Sequence, residues 1–218
     1  MEVATLTRKF TPEEYFTVLD RLEIRIELVD GQIMPKEGID PLPVWVVEEL
    51  LKPDFNTDIL SYEFPVATTK HDRIIMNLVF ALNKELGDQE YELFANAPKV
   101  YISLKGTYRL PDVTVAPAPD AQLYEEDCLT NPLVVIEVLS PSNAGKEFEE
   151  KLREYKSVET IQEYWLIHQD EVRAMQFVRQ TAKQWLQRDY DLEDEILEFP
   201  TLKLSLGTKI VYRHTELV

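Results

Sequence analysis

Two carboxylates within short apolar runs constrain the fold of this chain most. Asp112 opens the run in RLPDVTVAP (109–117), and Glu137 interrupts the run in NPLVVIEVLSPSN (131–143). Such runs are typical of strands buried on both faces of a sheet. An ionised carboxylate is costly there unless it is paired, hydrogen-bonded or bound to a metal. The sequence therefore predicts a central sheet whose strand ends bring two acids together, as a seat for a hard divalent cation.

The remaining hydrophobic pattern indicates a mixed α/β chain. The segment TPEE (11–14) is a helix-start signal, so a helix is predicted from there to about Arg21. The segment 23–34 alternates around an Asp-Gly pair, which predicts a β-hairpin. The clearest helix is 70–86, with apolar residues at a 3.6-residue period and Thr69 as its predicted cap. Further helices are predicted at 44–52 and 145–156, and strands at about 91–95, 99–104, 112–116, 132–138, 162–168, 172–179, 184–190, 195–198 and 202–212.

Size and composition are those of one globular domain. The chain has 218 residues, 44% of them hydrophobic, so we expect residues 1–218 to form a single domain with 35–70 as an insertion or extended connection. No apolar stretch approaches the roughly 20 residues of a membrane span, and no secretory signal is visible. Cys128 is the single cysteine, which excludes an internal disulfide and fits a reducing cytoplasm. Three widely separated histidines argue against structural zinc.

The net charge of −17 argues against an extended basic face for nucleic acid. Proteins that bind nucleic acid usually carry such a face, because neutralising phosphates supplies much of their affinity. Any basic surface must therefore be local, as around Lys99, Lys105 and Arg109 shortly before Asp112. A bound Mg²⁺ would have to neutralise part of the acidic site.

Lys151 adds a positive charge to the predicted inward face of a helix. Phe148, Leu152 and Tyr155 follow at i, i+4 and i+7 and define that face, on which Lys151 also lies. Its stem can pack against the core while its ammonium points along the sheet towards Glu137. A lysine at the edge of the apolar stripe, with its ammonium in solvent, explains the pattern equally well.

Other candidate side chains also have structural explanations that stay open. His71 shares the apolar face of the helix 70–86, where a histidine is commonly structural. Glu27 alternates with apolar neighbours, so a solvated strand glutamate and a functional acid are both compatible with the pattern. Tyr155 is a candidate pocket residue and also a simple core aromatic.

The two acids allow other readings as well. Asp112 follows a proline, so it could begin a strand and cap a turn, and Glu137 could form a purely structural ion pair. Two carboxylates also serve glycoside hydrolysis, although that reaction leaves Lys151 without a role. The chain contains no glycine-rich phosphate-binding motif and no nucleophile-elbow pattern.

Several motifs together resemble the Uma-type family of restriction-endonuclease-like proteins, within the wider PD-(D/E)xK nuclease superfamily. The resemblance runs over most of the chain from Glu27 onwards. His71 heads the long helix as in that family. The motifs that carry the resemblance are ELVDGQI (27–33), RLPDVTV (109–115), P-LVVIEVLSPS (132–142), K-x-x-x-Y (151–155) and EYWLI (163–167).

By this resemblance, Asp112 and Glu137 are the metal-binding acids. The superfamily lysine usually stands two residues after the second acid, where this chain has Leu139. The family pattern implies that a lysine from the next helix replaces it, which assigns that place to Lys151. Glu27 would be an additional acid that binds a second ion or its water shell, completing the catalytic set with Asp112, Glu137 and Lys151.

The resemblance implies a restriction-endonuclease-like fold, with a central mixed β-sheet flanked by helices, an N-terminal helix and hairpin, and extra C-terminal strands. It implies an endonuclease that uses Mg²⁺, or Mn²⁺ as a substitute, to hydrolyse phosphodiester bonds in nucleic acid, with DNA expected. A metal-activated water would attack in line while Lys151 orients it or stabilises the developing charge. His71 and Tyr155 would line the pocket, and a homodimer would suit cutting both strands of a duplex.

A non-catalytic binding or scaffold module that keeps the nuclease fold is the alternative, because fold is a weaker guide to activity than the site is. The acidic net charge and the displaced lysine favour this alternative. Two departures from the family pattern concern other regions. His168 stands where such sequences often carry Asp after the EYW strand, and 35–70 is longer than the usual connection.

Overall fold

The structure is a computed structural model. It describes residues 8–38, 40–55, 62–64, 67–87, 90–124, 128–139, 146–191 and 195–218, with the backbone alone at 124 and 146–147. The end of the 131–143 motif, from Ser140 onwards, and parts of the 35–70 segment lie outside the described residues.

The helices in the described part of the chain are α1 (Pro12–Leu19), α2 (Val44–Leu50), α3 (Thr69–Leu86), α4 (Lys146–Ser157) and α5 (Thr208–Val211). The first four lie close to their predicted positions, whereas the last, α5, was not predicted. The predicted start of α1 is confirmed, since Thr11 and Glu14 form a reciprocal capping box. The predicted cap of α3 is wrong by one residue: Thr68 has the extended backbone of a cap, and its hydroxyl accepts a hydrogen bond from the His71 amide.

The strands form two six-stranded sheets and a hairpin. In chain order they are β1 (Ile26–Val29), β2 (Gln32–Pro35), β3 (Tyr91–Ala95), β4 (Lys99–Ile102), β5 (Thr107–Arg109), β6 (Val113–Pro117), β7 (Leu123–Tyr124), β8 (Cys128–Leu129), β9 (Val134–Leu139), β10 (Glu163–His168), β11 (Ala174–Arg179), β12 (Trp185–Tyr190), β13 (Ile196–Phe199) and β14 (Leu204–Gly207). The core sheet has the order β12-β11-β10-β9-β6-β3, and the N-terminal sheet has the order β2-β1-β5-β4-β8-β7. The predicted mixed α/β class with helix-flanked mixed sheets is therefore confirmed, but the N-terminal sheet was not predicted as a separate layer.

Two local predictions have clear outcomes. The hairpin predicted for 23–34 is confirmed, with its turn at Asp30 and Gly31, whose φ angles of 48° and 77° are those that a tight hairpin turn requires. The predicted strand 202–212 is too long, because the chain turns into α5 at Thr208 after β14 ends. The apolar residues of α5 continued the strand pattern in the sequence, which is why the boundary was missed.

Helices cover both faces of β9, which explains its continuous apolar run. Val134, Ile136 and Val138 share one hydrophobic cluster with the apolar face of α3. Val135 and Leu139 share another cluster with residues of α4 and β10. Since side chains alternate along a strand, Glu137 points to the α4 face. No helix in the described part of the chain is long and apolar enough to span a membrane.

Candidate active site

Strand pairing brings the two predicted acids side by side. Strands β6 and β9 are antiparallel, with Val113 opposite Ile136. Continuing that register by one residue puts Asp112 opposite Glu137. Both carboxylates are buried, and the Val138 amide donates a 2.7 Å hydrogen bond to Asp112 Oδ2. The central expectation from the sequence, two acids at neighbouring strand ends, matches this geometry.

Lys36 lies between the two carboxylates and was not predicted. Its side chain is 3% exposed, and its ammonium donates a short hydrogen bond to Glu137 Oε2. The same ammonium is 3.6 Å from Asp112 Oδ1. One buried cation thus touches both acids.

Asp112 is surrounded by positive charge. Arg25 Nη1 is 3.5 Å from Oδ1 and His71 Nε2 is 3.5 Å from Oδ2. Burial alone would raise the pKa of Asp112, but Lys36, His71 and the Val138 amide outweigh it and hold the pKa well below its usual range. Oδ1 is buried and accepts no hydrogen bond from the described residues.

Glu137 has contacts with α4 as well as with Lys36. The Tyr155 hydroxyl donates a 2.8 Å hydrogen bond to Oε1, and Lys151 Nζ is 3.5 Å from Oε2. Burial and the charge of Glu137 raise the pKa of Tyr155 well above its ordinary value, so its hydroxyl remains a donor. Lys151 is buried, which confirms that it lies on the inward face of α4.

Glu27 belongs to a second buried network beside the first. Its Oε2 accepts a 2.9 Å hydrogen bond from Arg109 Nη1, and its Oε1 accepts one of the same length from the Leu110 amide. Arg109 Nε donates a 2.7 Å hydrogen bond to Glu154 Oε2 on α4. Burial opposes ionisation of Glu27, but the charges of Lys151, Arg109 and Lys36 prevail and lower its pKa to about 2.

His71 and His168 differ in their relation to the acids. The buried His71 reaches Asp112 from the first turn of α3, and the charge and hydrogen bonding of Asp112 raise its pKa despite the opposing effect of burial. His168 ends β10, is partly buried, and has its Nδ1 3.4 Å from Oε1 of the exposed Glu171.

Sequence reasoning missed Lys36, Arg25 and Glu154, and it assigned Arg109 to a local basic surface although Arg109 is buried. The pairing of the hairpin strands could have pointed to Lys36. Glu27 pairs with Met34, and Lys36, two residues after Met34, lies on the same face as Met34. Lys36 therefore had to lie diagonally from Glu27 on one face of the hairpin. The proline-rich sequence that follows obscured this pattern.

The residues fit an oxygen-coordinated divalent cation. Asp112 and Glu137 supply hard oxygen ligands, and the buried Asp112 Oδ1 lacks a hydrogen-bond donor among the described residues. Within that described part, no group of three or more His, Cys, Asp or Glu side chains is arranged to hold a metal. Two carboxylates suffice for Mg²⁺, which keeps several waters when it binds to proteins.

Comparison with known proteins gives one family and several relatives. Residues 61–209 match the family Uma2, described as "Putative restriction endonuclease". Two relatives from Synechocystis sp. (strain ATCC 27184 / PCC 6803 / Kazusa) are similar over 94% of this chain: "Uncharacterized protein sll1609" at 28% identity, covering 100% of that protein, and "Uncharacterized protein slr1290" at 25% identity, covering 92%.

One solved structure shares the fold. It is a crystal structure from Anabaena variabilis ATCC 29413, described as "a putative nuclease belonging to DUF820". Its TM-score is 0.61 at 19% identity, and the match covers 88% of this chain and 91% of that chain. The family match includes Asp112, Glu137 and Lys151, whereas Glu27 and Lys36 precede its first residue.

Proposed function

Because the chain belongs to the Uma2 family, described as "Putative restriction endonuclease", we propose that it is a divalent-metal-dependent endonuclease that hydrolyses phosphodiester bonds in DNA. The observation that carries this proposal is the pair of buried carboxylates on adjacent strands, Asp112 and Glu137, with cationic side chains against them. Restriction-endonuclease-like proteins generally use divalent metals, and the ion we propose is Mg²⁺, with Mn²⁺ as a substitute. A cytoplasmic location suits the single cysteine, Cys128, which cannot form an internal disulfide.

Asp112 and Glu137 would hold the ion. When bound, a divalent ion lowers the pKa of a coordinated water and stabilises negative charge on the attacked phosphate. The protein contributes the fixed placement of the two carboxylates. The Val138 amide orients Asp112, and the Tyr155 hydroxyl orients Glu137.

Lys151 would stabilise the negative charge that develops on the phosphate. The side chain of Lys151 is buried, so its ammonium is already held near Glu137. No conformational entropy is then lost in placing this charge during the reaction. This placement supports the role that the family pattern assigns to a lysine from the helix after the second acid.

Glu27 would act as a positioning residue. Both of its oxygens already accept hydrogen bonds, from Arg109 and from the Leu110 amide. Binding a second ion would require Glu27 to give up its buried ion pair with Arg109, which is costly. Its contacts therefore support a role in holding Arg109 and α4 against the site, with His71 and Tyr155 lining the pocket.

We further propose a homodimer in which α3 of one copy packs against α3 of the other. Met76 and Phe80 are 65% and 72% exposed and lie one turn apart on the outer face of α3. In an antiparallel pairing of two α3 helices centred at the level of Leu78, Met76 of each copy meets Phe80 of the other, and Asp72 meets Lys84. An isologous contact of this kind pairs exposed apolar side chains with each other and opposite charges with each other.

A non-catalytic module is the second candidate, and one observation favours it. Lys36, Arg25 and Lys151 already supply positive charge beside the two acids without any metal. Such a module would keep its fold and partner while neither binding metal nor cleaving nucleic acid.

The deciding experiment compares the wild type with Asp112→Asn, which preserves an oxygen acceptor for the Val138 amide. Supercoiled plasmid, single-stranded DNA and RNA are incubated with each protein in Mg²⁺, in Mn²⁺ and in EDTA. We expect metal-dependent cleavage of DNA by the wild type and a loss on the order of a hundredfold or more in the variant. Glu92→Gln, an exposed change on β3, is the matched control and should cleave normally.

Two results would count against the nuclease proposal. Full metal-dependent cleavage by Asp112→Asn would remove Asp112 from the reaction. No cleavage by any of the proteins on any substrate would favour the non-catalytic module.

A further inference from the structure

Lys36 is a buried charge beside the two acids that the proposed mechanism leaves unused. It follows the last residue of β2, and its amide donates a 2.8 Å hydrogen bond to the Arg25 carbonyl, so its backbone is fixed by the hairpin. Its side chain reaches 101 residues along the sequence to Glu137 and also touches Asp112. It precedes the stretch that matches the family, so the family assignment says nothing about it.

Electrostatics explain why a cation must lie there. Two ionised carboxylates buried on adjacent strands repel each other, and each would be costly without a counter-charge. Among the ion pairs of the described residues, Lys36 is paired with both acids, Lys151 with Glu137 and Arg25 with Asp112. Lys36 is therefore the cation among these that bridges the pair.

A divalent ion bound by both carboxylates would need the oxygens that Lys36 contacts. The ammonium and the ion would also repel each other at that distance. The lysine stem is long and flexible, so the ammonium can leave while the backbone of the hairpin stays in place. Binding of the ion and burial of the ammonium are then mutually exclusive.

We propose that Lys36 is a tethered cation that occupies the place of the divalent ion in the metal-free protein, and that metal binds only by displacing its ammonium. This inference rests on the proposed metal-dependent function. Its consequences are a metal-free fold that needs no ion and a metal affinity lower than the two carboxylates alone would provide.

The test compares wild type, Lys36→Met and Lys151→Met, since methionine keeps an unbranched apolar stem and removes the charge. Isothermal titration calorimetry gives the Mn²⁺ dissociation constant, and thermal unfolding with and without Mn²⁺ gives the melting temperatures. Lys36→Met should bind Mn²⁺ at least about tenfold more tightly than wild type and melt lower without metal, with Mn²⁺ reversing that loss. Lys151→Met also removes a positive charge from beside Glu137, but it leaves the Lys36 ammonium between the two acids. Its gain in Mn²⁺ affinity should therefore be much smaller.

Each outcome separates the two proposals. If wild type binds Mn²⁺ and Lys36→Met binds it no more tightly, the proposed exchange of the Lys36 ammonium for the metal ion is overturned while the metal-dependent function stands. The same holds if Lys36→Met and Lys151→Met gain equally in Mn²⁺ affinity. If Lys36→Met binds and wild type does not, the exchange is supported and metal-dependent activity of the wild type is overturned. If none binds, both proposals fail.

A folding failure is also informative. If Lys36→Met is unfolded without metal, the proposal requires Mn²⁺ to refold it, and absence of refolding overturns the exchange. Lys36→Gln, which keeps a polar side chain without the charge, is measured alongside and should show the same direction of change in affinity.

Discussion

At the scale of single residues, the site consists of two adjoining networks of buried charge. The acids Asp112 and Glu137 share Lys36, and the acids Glu27 and Glu154 share Arg109. Buried ion pairs of this kind do not add much net stability. Removing one partner by substitution is nevertheless destabilising, because it leaves an uncompensated buried charge. Substitutions here should therefore separate effects on chemistry from effects on folding.

The Tyr155 hydroxyl can be removed without changing the packing of its ring, so its contribution can be measured directly. Tyr155→Phe removes the 2.8 Å hydrogen bond to Glu137 Oε1 and keeps the ring packed against Tyr164. We expect a loss of about 1.5–3 kcal/mol in the free energy of unfolding, as for hydrogen bonds to charged groups, together with reduced cleavage. Urea denaturation and a plasmid cleavage assay measure the two effects. Unchanged stability and activity would mean that this hydroxyl does not orient Glu137.

Glu27 should contribute to acid denaturation. Its pKa falls from 4.5 in the unfolded chain to about 2 in the folded protein, so the unfolded state binds more protons between these values. The stabilisation is complete above about pH 4.5 and is lost as the pH falls towards 2. Between these pH values, titration of Glu27 should change the free energy of unfolding by up to about 1.4 kcal/mol per pH unit.

Glu27→Gln should flatten this part of the stability profile. The variant cannot titrate at this position, so its free energy of unfolding should change less between pH 4.5 and 2 than that of the wild type. Denaturant titrations at a series of pH values measure the difference. Parallel profiles for the two proteins would contradict the depressed pKa.

At the scale of elements, α3 and α4 hold the strand that carries Glu137 from its two faces. The apolar residues of α3 share a cluster with β6 and β9, while residues of α4 pack on the other face of β9. Because the first turn of α3 carries His71 and α4 carries Lys151 and Tyr155, packing of the two helices also sets the site geometry.

Leu78 tests the α3 side of this arrangement. It is fully buried, so Leu78→Ala should lower the free energy of unfolding by about 2–5 kcal/mol, through lost burial and a residual cavity. Asn83→Ala, on the exposed face of the same helix, should change it by no more than about 0.5 kcal/mol. Chemical denaturation compares the two, and equal effects would contradict the packing of α3 on the core sheet.

At the scale of the whole molecule, the candidate site brings together side chains from the N-terminal sheet and the core sheet. Lys36 and Glu27 come from the β1–β2 hairpin region, whereas Glu137 lies on β9. A single domain over residues 1–218 stays a prediction. The same holds for the homodimer, to which the exposed face of α3 gives a specific test.

Phe80→Glu should convert the dimer into a monomer. It places two like charges in the proposed contact, where the apolar side chains of both copies would otherwise be buried. Leu104→Glu, an equally drastic change at an exposed apolar residue outside α3, should leave the dimer intact. Size-exclusion chromatography with light scattering gives the masses. A wild type that is monomeric at high concentration would rule out the α3 contact.

The sequence by itself determined most of the segments that form helices and strands and which acids lie inside them, although α5, β5, β7 and β8 were not predicted. Hydrophobic periodicity is a local property, so α3, β9 and the hairpin turn could be predicted close to their observed bounds. The same periodicity along α4 predicted that Lys151 lies on the inward face, and the structure decided that its ammonium is buried. Several family-like motifs in order made the fold recognisable.

Only the tertiary structure decided which charges meet. The contact of Lys36 with Glu137 joins residues far apart in sequence and depends on how the hairpin packs against β9. Packing between elements likewise decides the pairing of Arg109 with Glu27 and Glu154 and the formation of a separate N-terminal sheet. Periodicity states which side of an element is buried, whereas the partner of a buried charge is set by the elements that pack on that side.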